Sequence, residues 1–415
     1  MTNTAAALPA GISLTAWRNA LFVVFGSAGL AVAALMSRMP SLRDDLGVDP
    51  GGIGLMLAFF SLGSLTGLAF SGLLLQAIGP RRLIRYGVPV FAVALAAVGV
   101  TAGVFGSFPL TAIASFIFGG TIALSDVGTN VEGSANERAM GRSVMPFLHA
   151  GFSLGTVIGA ALGALGAGLG LPIVWHFAIM GAIILGIALV APRWIPAVAD
   201  DPTEKPTPAG RTSVWREPRT LLLGVVVFAF AYIEGAANDW LTLGLVDERG
   251  LTQAQGALML AVFTSAMTAG RFAGSRLVDR FGRVAVLMTS GVLAGAGLAF
   301  VIFVPQLWAV IIGTVAWGVG SSLGFPVGMS AAGDDPVRGP QRVAAVSVIA
   351  YAAFFAGPPA IGFLADHIGI LPALSVILGL VVIAIAVSPV ARERRSGEPG
   401  IAPSAVGADP MSSPD

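Results

Sequence analysis

Long apolar runs alternate with short polar breaks along this chain. Twelve runs of about twenty residues can be marked, at 17–38, 52–76, 84–104, 109–134, 143–167, 173–192, 220–242, 255–277, 284–304, 308–331, 343–364 and 371–391. An α-helix rises about 1.5 Å per residue, so about twenty apolar residues cross about 30 Å of hydrocarbon. Each run therefore predicts a membrane-spanning helix. Gly and Pro punctuate many of the runs, which bundled membrane helices tolerate because neighbouring helices re-satisfy the freed backbone groups. The pattern predicts an all-α membrane protein of twelve transmembrane helices.

The polar breaks set the orientation. One set of connections and ends holds Arg81, Arg82, Arg85, Arg138, Arg142, Arg193, Lys205, Arg211, Arg216, Arg219, Arg276, Arg280, Arg283, Arg338 and Arg342, with Arg18, Arg392, Arg394 and Arg395 in the tails. The opposite set holds only Arg38, Arg43 and Arg249, a split of 19 against 3, and Arg271 falls inside a run. Basic residues stay on the cytoplasmic side, so both termini are expected in the cytoplasm of a bacterial inner membrane. The Pro-rich, charged stretch 193–219 reads as a linker. Expected units are a cytoplasmic tail at 1–16, a six-helix bundle at 17–192, the linker at 193–219, a second bundle at 220–391 and a disordered tail at 392–415. Residues 1–16 carry no basic cluster and do not read as a cleavable leader.

Composition removes several classes. Hydrophobic residues make up 55% and charged residues 11% of 415, more apolar surface than a soluble fold of this size can hide. The net charge of +1 predicts no nucleic-acid partner. With no cysteine, disulfides and thiolate metal sites are excluded. His149, His176 and His367 are too scattered in sequence to predict a metal cage. The sole lysine, Lys205, lies between Glu204 and Pro206, so no Walker Gly-Lys-Ser/Thr loop exists. Energy is expected from an ion gradient or from the solute's own gradient. No Asp-Asp-x-x-Asp cluster or single-sign charged ring points to a prenyl-transferring enzyme or a channel. No enzymatic activity and no cofactor are expected.

The runs repeat. At an offset of 203 residues, Leu55-Met56-Leu57-Ala58-Phe59-Phe60 matches Leu258-Met259-Leu260-Ala261-Val262-Phe263 at five of six positions. The same offset pairs Asp44 with Asp247, Gly47 with Gly250, Gly67 with Gly270 and Gly79 with Gly282. Parallel repeats of this kind build transporters from two pseudo-symmetric six-helix bundles.

After the eighth run comes Leu277-Val278-Asp279-Arg280-Phe281-Gly282-Arg283. This resembles the conserved loop of the major facilitator superfamily, and the resemblance covers all twelve runs. It implies the major facilitator fold and a charge network, here Asp279, Arg280, Gly282 and Arg283, that latches one conformation. The first-half copy departs from the pattern, with Gln76 where the acid belongs, then Gly79, Arg81 and Arg82. Asp126-Val127-Gly128-Thr129-Asn130 in the fourth run resembles the fucose-permease-like branch. Arg38-x-Pro40, Leu46-Gly47, His149 with Ser153 and Gly155, Asp239-Trp240, Gly270-Arg271 and Gly324-Phe325-Pro326 resemble uncharacterised bacterial relatives. The first run departs from the permease: Ala31, Ala33, Ala34 and Met36 replace its acid and asparagines.

An ionisable side chain inside the bilayer costs at least about 2.5–3.5 kcal/mol, so such residues mark function. Asp126 and Asn130 are four apart and share a helix face; Glu132 and Asn136 form a second pair, turned by about 120° and nearer the end of the run. Glu234 and Asn238 repeat the spacing in the seventh run, followed by Asp239 and Trp240. The resemblance implies that the fourth and seventh helices line a central cavity. An acid beside an amide there can bind and release a proton as access alternates, while the amide meets a solute. Asp126, Glu234, Glu132 and His149 are the candidate proton-coupling groups, although Glu132 also reads as a solvated interfacial charge and His149 as a packed one. Asn130, Asn136, Asn238, Asp239, Trp240 and Tyr232 are candidate solute contacts. Arg271 has three readings: an anion ligand, a partner of Asp239 or Glu234, or a member of the latch. Trp17, Trp175 and Trp308 read as interfacial anchors. Gly151, Gly155, Gly159 and Gly163 read as a packing stripe. The antiporter Gly-Pro motif is missing from the fifth run, which speaks against a drug antiporter.

The expected protein is a monomeric secondary transporter that couples a small solute to protons by alternating access. Uptake of a sugar-like solute and efflux of a drug or metabolite both stay open, and a non-transporting membrane sensor is the remaining reading.

Overall fold

The computed structural model describes residues 12–142, 144–196, 214–335 and 338–392. Most of the expected tails and linker (1–11, 393–415 and 197–213) lies outside the described residues. Fifteen α-helices and three short 3-10 turns are described, with no strand among the described residues. In the first half they are α1 (Leu14–Ser37), α2 (Met39–Leu46), α3 (Pro50–Ile78), α4 (Pro80–Gly103), α5 (Phe108–Met140), α6 (Met145–Gly168) and α7 (Ile173–Val190). In the second half they are α8 (Pro218–Arg249), α9 (Gln253–Phe281), α10 (Arg283–Phe303), α11 (Leu307–Ser321), α12 (Gly324–Ala332), α13 (Gly339–Ile368), α14 (Ile370–Ala373) and α15 (Ser375–Val387). Among the described residues, twelve spans are long and apolar enough to cross a membrane, one for each run read from the sequence.

The spans differ from the runs at their polar ends. The apolar run of the fourth span stops at 134, but α5 continues to Met140, and the seventh continues to Arg249. Polar side chains at a span's end leave the hydrocarbon without breaking the helix. What stops both helices is a glycine in the left-handed region, Gly141 at φ +65° and Gly250 at φ +65°. The first polar break contains a helix, α2, started by Pro40 and stopped by Gly47 at φ +61°. The tenth span is interrupted between α11 and α12, where a Cβ at Gly324 would lie 1.9 Å from the Phe230 ring.

An even number of spans puts Ile12 and Arg392 on one side, called here the terminal side. The other is the α2 side. Packing repeats between halves: α1 lies on α6 as α8 lies on α13, and α3 on α5 as α9 on α11. The halves meet where α3 faces α13 and α6 faces α9. The stripe on α6 works by close approach: Gly155 faces the Gly26 carbonyl, and an added Cβ would lie 2.0 Å from that oxygen.

Trp175 and Trp308 are exposed, at 62% and 59%, near span ends. Trp17, expected as a third anchor, is instead buried at 2%. Its helix is enclosed by α5, α6 and α7, so the first turn of α1 has no lipid-facing side at that position.

Candidate transport site

Two helices, α5 and α8, carry acids well inside their spans. In α5, Asp126 is half-buried, and no ion pair reaches it among the described residues. The Asn130 Nδ2 donates to the Asp126 backbone carbonyl at 2.9 Å. In α8, the Asn238 Nδ2 donates to the Glu234 carbonyl at 3.2 Å. On both helices the amide four residues after the acid turns back onto that acid's backbone carbonyl, which uses one of its two amide hydrogens. Tyr351 of α13, in the other half, lies within electrostatic range of Asp126.

Glu234 is paired. Its two carboxylate oxygens accept from the Arg271 Nη2 at 3.0 and 3.1 Å. The three readings of Arg271 thereby reduce to pairing within the second half. His149 of α6 is exposed, stacks at 5.0 Å on Phe25 and lies within electrostatic range of Arg271. Glu234, Arg271 and His149 therefore form a polar group at the α6–α9 contact, while Asp126 and Tyr351 form another between α5 and α13.

Asp239 is the third acid. No hydrogen bond or ion pair reaches its carboxylate among the described residues, and it lines a recess with Tyr232, Trp240 and Phe354. The Tyr232 hydroxyl donates to the Gly357 carbonyl at 3.2 Å, and the Trp240 Nε1 is buried without an acceptor.

The second acid–amide pair of α5 sits elsewhere. Asn136 is fully buried and donates to the Leu14 carbonyl of α1 at 3.1 Å, and Glu132 is buried at 4%. Glu132 is thus buried and is not a solvated interfacial charge.

At the loop after the eighth span, Arg283 donates to both oxygens of Asp334 at 2.7 and 2.8 Å, and Arg219 reaches the same acid at 3.3 Å. Arg280 packs over the Phe281 ring at 5.3 Å, and Gly282 turns the chain at φ +78°. Asp279 is exposed with no ion pair among the described residues. Arg283 is thus held within its own half, and Asp279 is open.

Sequence reasoning missed Tyr351, Phe354 and the closure on the α2 side. There Arg43 bonds both Asp44 and Asp247, the Ser41 hydroxyl donates to the Gln253 Oε1 at 2.5 Å, Gln253 donates to Asp44 at 3.1 Å, and Asp366 accepts from the Gly51 N–H at 2.8 Å. At mid-span the Ser61 hydroxyl donates to the Phe354 carbonyl at 2.8 Å. Pro358 has no N–H to give that carbonyl, so the proline in the sequence was a readable sign of an orphaned acceptor.

The fold and these buried charges define a membrane transporter, and comparison with known proteins agrees. The family model for the Major Facilitator Superfamily matches residues 21–243 and 223–410. An uncharacterized MFS-type transporter of Yersinia pestis is 31% identical over 363 residues, covering 86% of this chain and 90% of that protein. The chain belongs to the major facilitator superfamily. The nucleoside transporter NupG superposes with a TM-score of 0.68 at 14% identity, covering 91% of this chain and 100% of that one. A variant of the E. coli fucose:proton symporter FucP gives 0.63 at 16%, covering 91% and 98%. These likenesses establish the fold. The relatives and the fold are those of transporters, which are not enzymes.

Proposed function

We propose that the protein is a proton-coupled secondary transporter of a small organic solute in a bacterial inner membrane, working by alternating access with both termini in the cytoplasm. The observation that carries the proposal is Asp126, a half-buried acid at mid-span with no ion pair among the described residues. Such a group can take a proton from one side and give it to the other as the halves rock. The Glu234–Arg271 pair, with His149 opposite, is the second coupling element: protonating Glu234 would free Arg271, and the exchange would join proton movement to the α6–α9 contact. Glu132 is kept as a further proton-coupling candidate. Asn130, Asn238, Asp239, Tyr232 and Trp240 are the solute contacts, with Asn136 a more distant candidate.

The hydrogen bonds between described residues of the two halves lie on the α2 side or at mid-span. With the terminal side in the cytoplasm, this is an inward-facing arrangement. Asp279 and Arg283 govern switching, closing the terminal side when the α2 side opens. The likeness to a fucose:proton symporter supports a polar solute taken up with protons. The unpaired acids also suit efflux of a cationic compound.

The test is proton movement in proteoliposomes loaded with a pH dye, with sugars, organic acids and amines added outside. Asp126→Asn is expected to abolish gradient-driven accumulation and to keep solute exchange. Unchanged concentrative transport in that variant would remove Asp126 from the mechanism.

A further inference from the structure

The recess around Asp239 is built deliberately. Tyr232, Gly235, Ala236, Asp239 and Trp240 follow the i, i+3, i+4, i+7, i+8 spacing of one helix face. Gly235 makes room for Phe354: a Cβ there would lie 3.1 Å from its ring. Gly357 does the same for Tyr232, also at 3.1 Å. Two absent side chains thus bring two rings over the opening between α8 and α13, beside the buried indole of Trp240. About 10 Å³ remains open, the room of a single water-sized group.

A carboxylate in that setting is costly unless something pays its desolvation, and no cation of the described protein does so. Arg271 of α9 is taken by Glu234. Three aromatic side chains line the recess, and an aromatic ring turns a negative face to a cation placed over it. The α2 side adds a long-range bias: Asp44, Asp45, Asp49, Asp247, Glu248 and Asp366 outnumber the arginines there, which favours cations near that mouth.

We propose that this recess receives the primary ammonium group of an amine-bearing solute, with Asp239 as counter-ion and Tyr232, Trp240 and Phe354 as walls. The size of the recess selects –NH3+ over a quaternary ammonium, and the rest of the solute lies outside it. The proposal rests on the transporter reading in taking the recess as part of the solute path, and it names the chemical class that path accepts.

The test is equilibrium binding to the purified full chain in detergent, read by tryptophan fluorescence and by thermal shift, with no gradient present. Ethanolamine is compared with ethylene glycol, which lacks the amine, and with choline, which carries the charge on a larger head. Saturable binding of ethanolamine, weaker binding of choline and none of ethylene glycol are expected. Asp239→Asn should weaken ethanolamine roughly 100-fold, the scale of unpairing a buried charge. Gly357→Ala, which narrows the recess by pressing on Tyr232, should also weaken it and serves if Asp239→Asn does not fold. Ethanolamine binding that is absent, or unchanged in both variants, overturns the proposal. Amine binding without proton movement in liposomes would sink proton coupling and leave this site standing. Proton-coupled transport of a sugar without amine binding would do the reverse.

Discussion

The α2 side and the terminal side of the molecule use the same kinds of residue to opposite ends. On the α2 side, Arg43, Asp44, Asp247 and Gln253 bond across the two halves. On the terminal side, among the described residues, each bond stays within one half: in the second, Arg283 and Arg219 hold Asp334, while Arg338 and Arg342 hold Glu217 at 2.7 and 2.6 Å, and in the first, Glu137 accepts from the Val144 and Met145 N–H groups. A bond across the halves biases the rocking equilibrium. A bond within one half only stiffens it. The same chemistry thus ties the two halves together on one side and serves as scaffolding on the other; under the proposed function the first is a gate.

The strongest way to break the comparison is to make the gate permanent. The natural chain has no cysteine, so Ser41→Cys with Gln253→Cys offers a single reactive pair. Bridging it with a short, reducible thiol reagent should abolish transport completely, and reductant should restore it; flux in proteoliposomes before and after reduction reads both. Retained flux in the bridged protein would mean that the α2 side need not open.

A smaller effect is expected at the level where the two sides meet. Ser61→Ala strands the Phe354 carbonyl that Pro358 leaves without a donor. An unsatisfied buried acceptor costs about 1–3 kcal/mol, so the variant should lower the Tm and make the α2 side more accessible to thiol labelling at Ser41→Cys. An unchanged Tm and unchanged labelling would remove Ser61 as a tie between halves.

The smallest effect belongs to the scaffolding. Burial alone would raise the Glu217 carboxyl, but the hydrogen bonds from Arg342 and Arg338 outweigh it and hold the group below the ordinary glutamate range. A depressed acid stabilises the fold fully above its unfolded pKa and loses that contribution as pH falls through the folded value. Thermal unfolding should therefore show a modest loss of Tm on acidification below about pH 4.5, the ordinary glutamate value, that Glu217→Gln lacks, while labelling on the α2 side stays the same. A shift in α2-side labelling at Glu217→Gln would show that the cluster also gates.

The spans were readable because the bilayer leaves few solutions to a chain this apolar. Repeat and loop motif were readable because they are local in sequence. Asp126 and Glu234 stood out as charges in apolar runs. What their neighbours do was not readable. Whether Arg271 meets Glu234 or Asp239 depends on how α8 and α9 turn toward each other, and no spacing along either helix sets that. Glu132 and Asn136 have the pattern of a cavity pair, yet their face packs on α1. Tyr351 carries no local sign of its role, since only the fold brings α13 beside α5.

Arg43 has a consequence for ancestry. Asp44 and Asp247 are counterparts in the two repeats, but the counterpart of Arg43 at the same offset is Val246. A strict duplicate would set an arginine opposite each aspartate; here one arginine serves both. The two copies of the unit have stopped being interchangeable at the place where they touch: a second half paired with its own copy would bring Asp247 and its copy together with Val246 where Arg43 stands in the first. Fusion into a single polypeptide is what permits that divergence, because each half then meets only one partner.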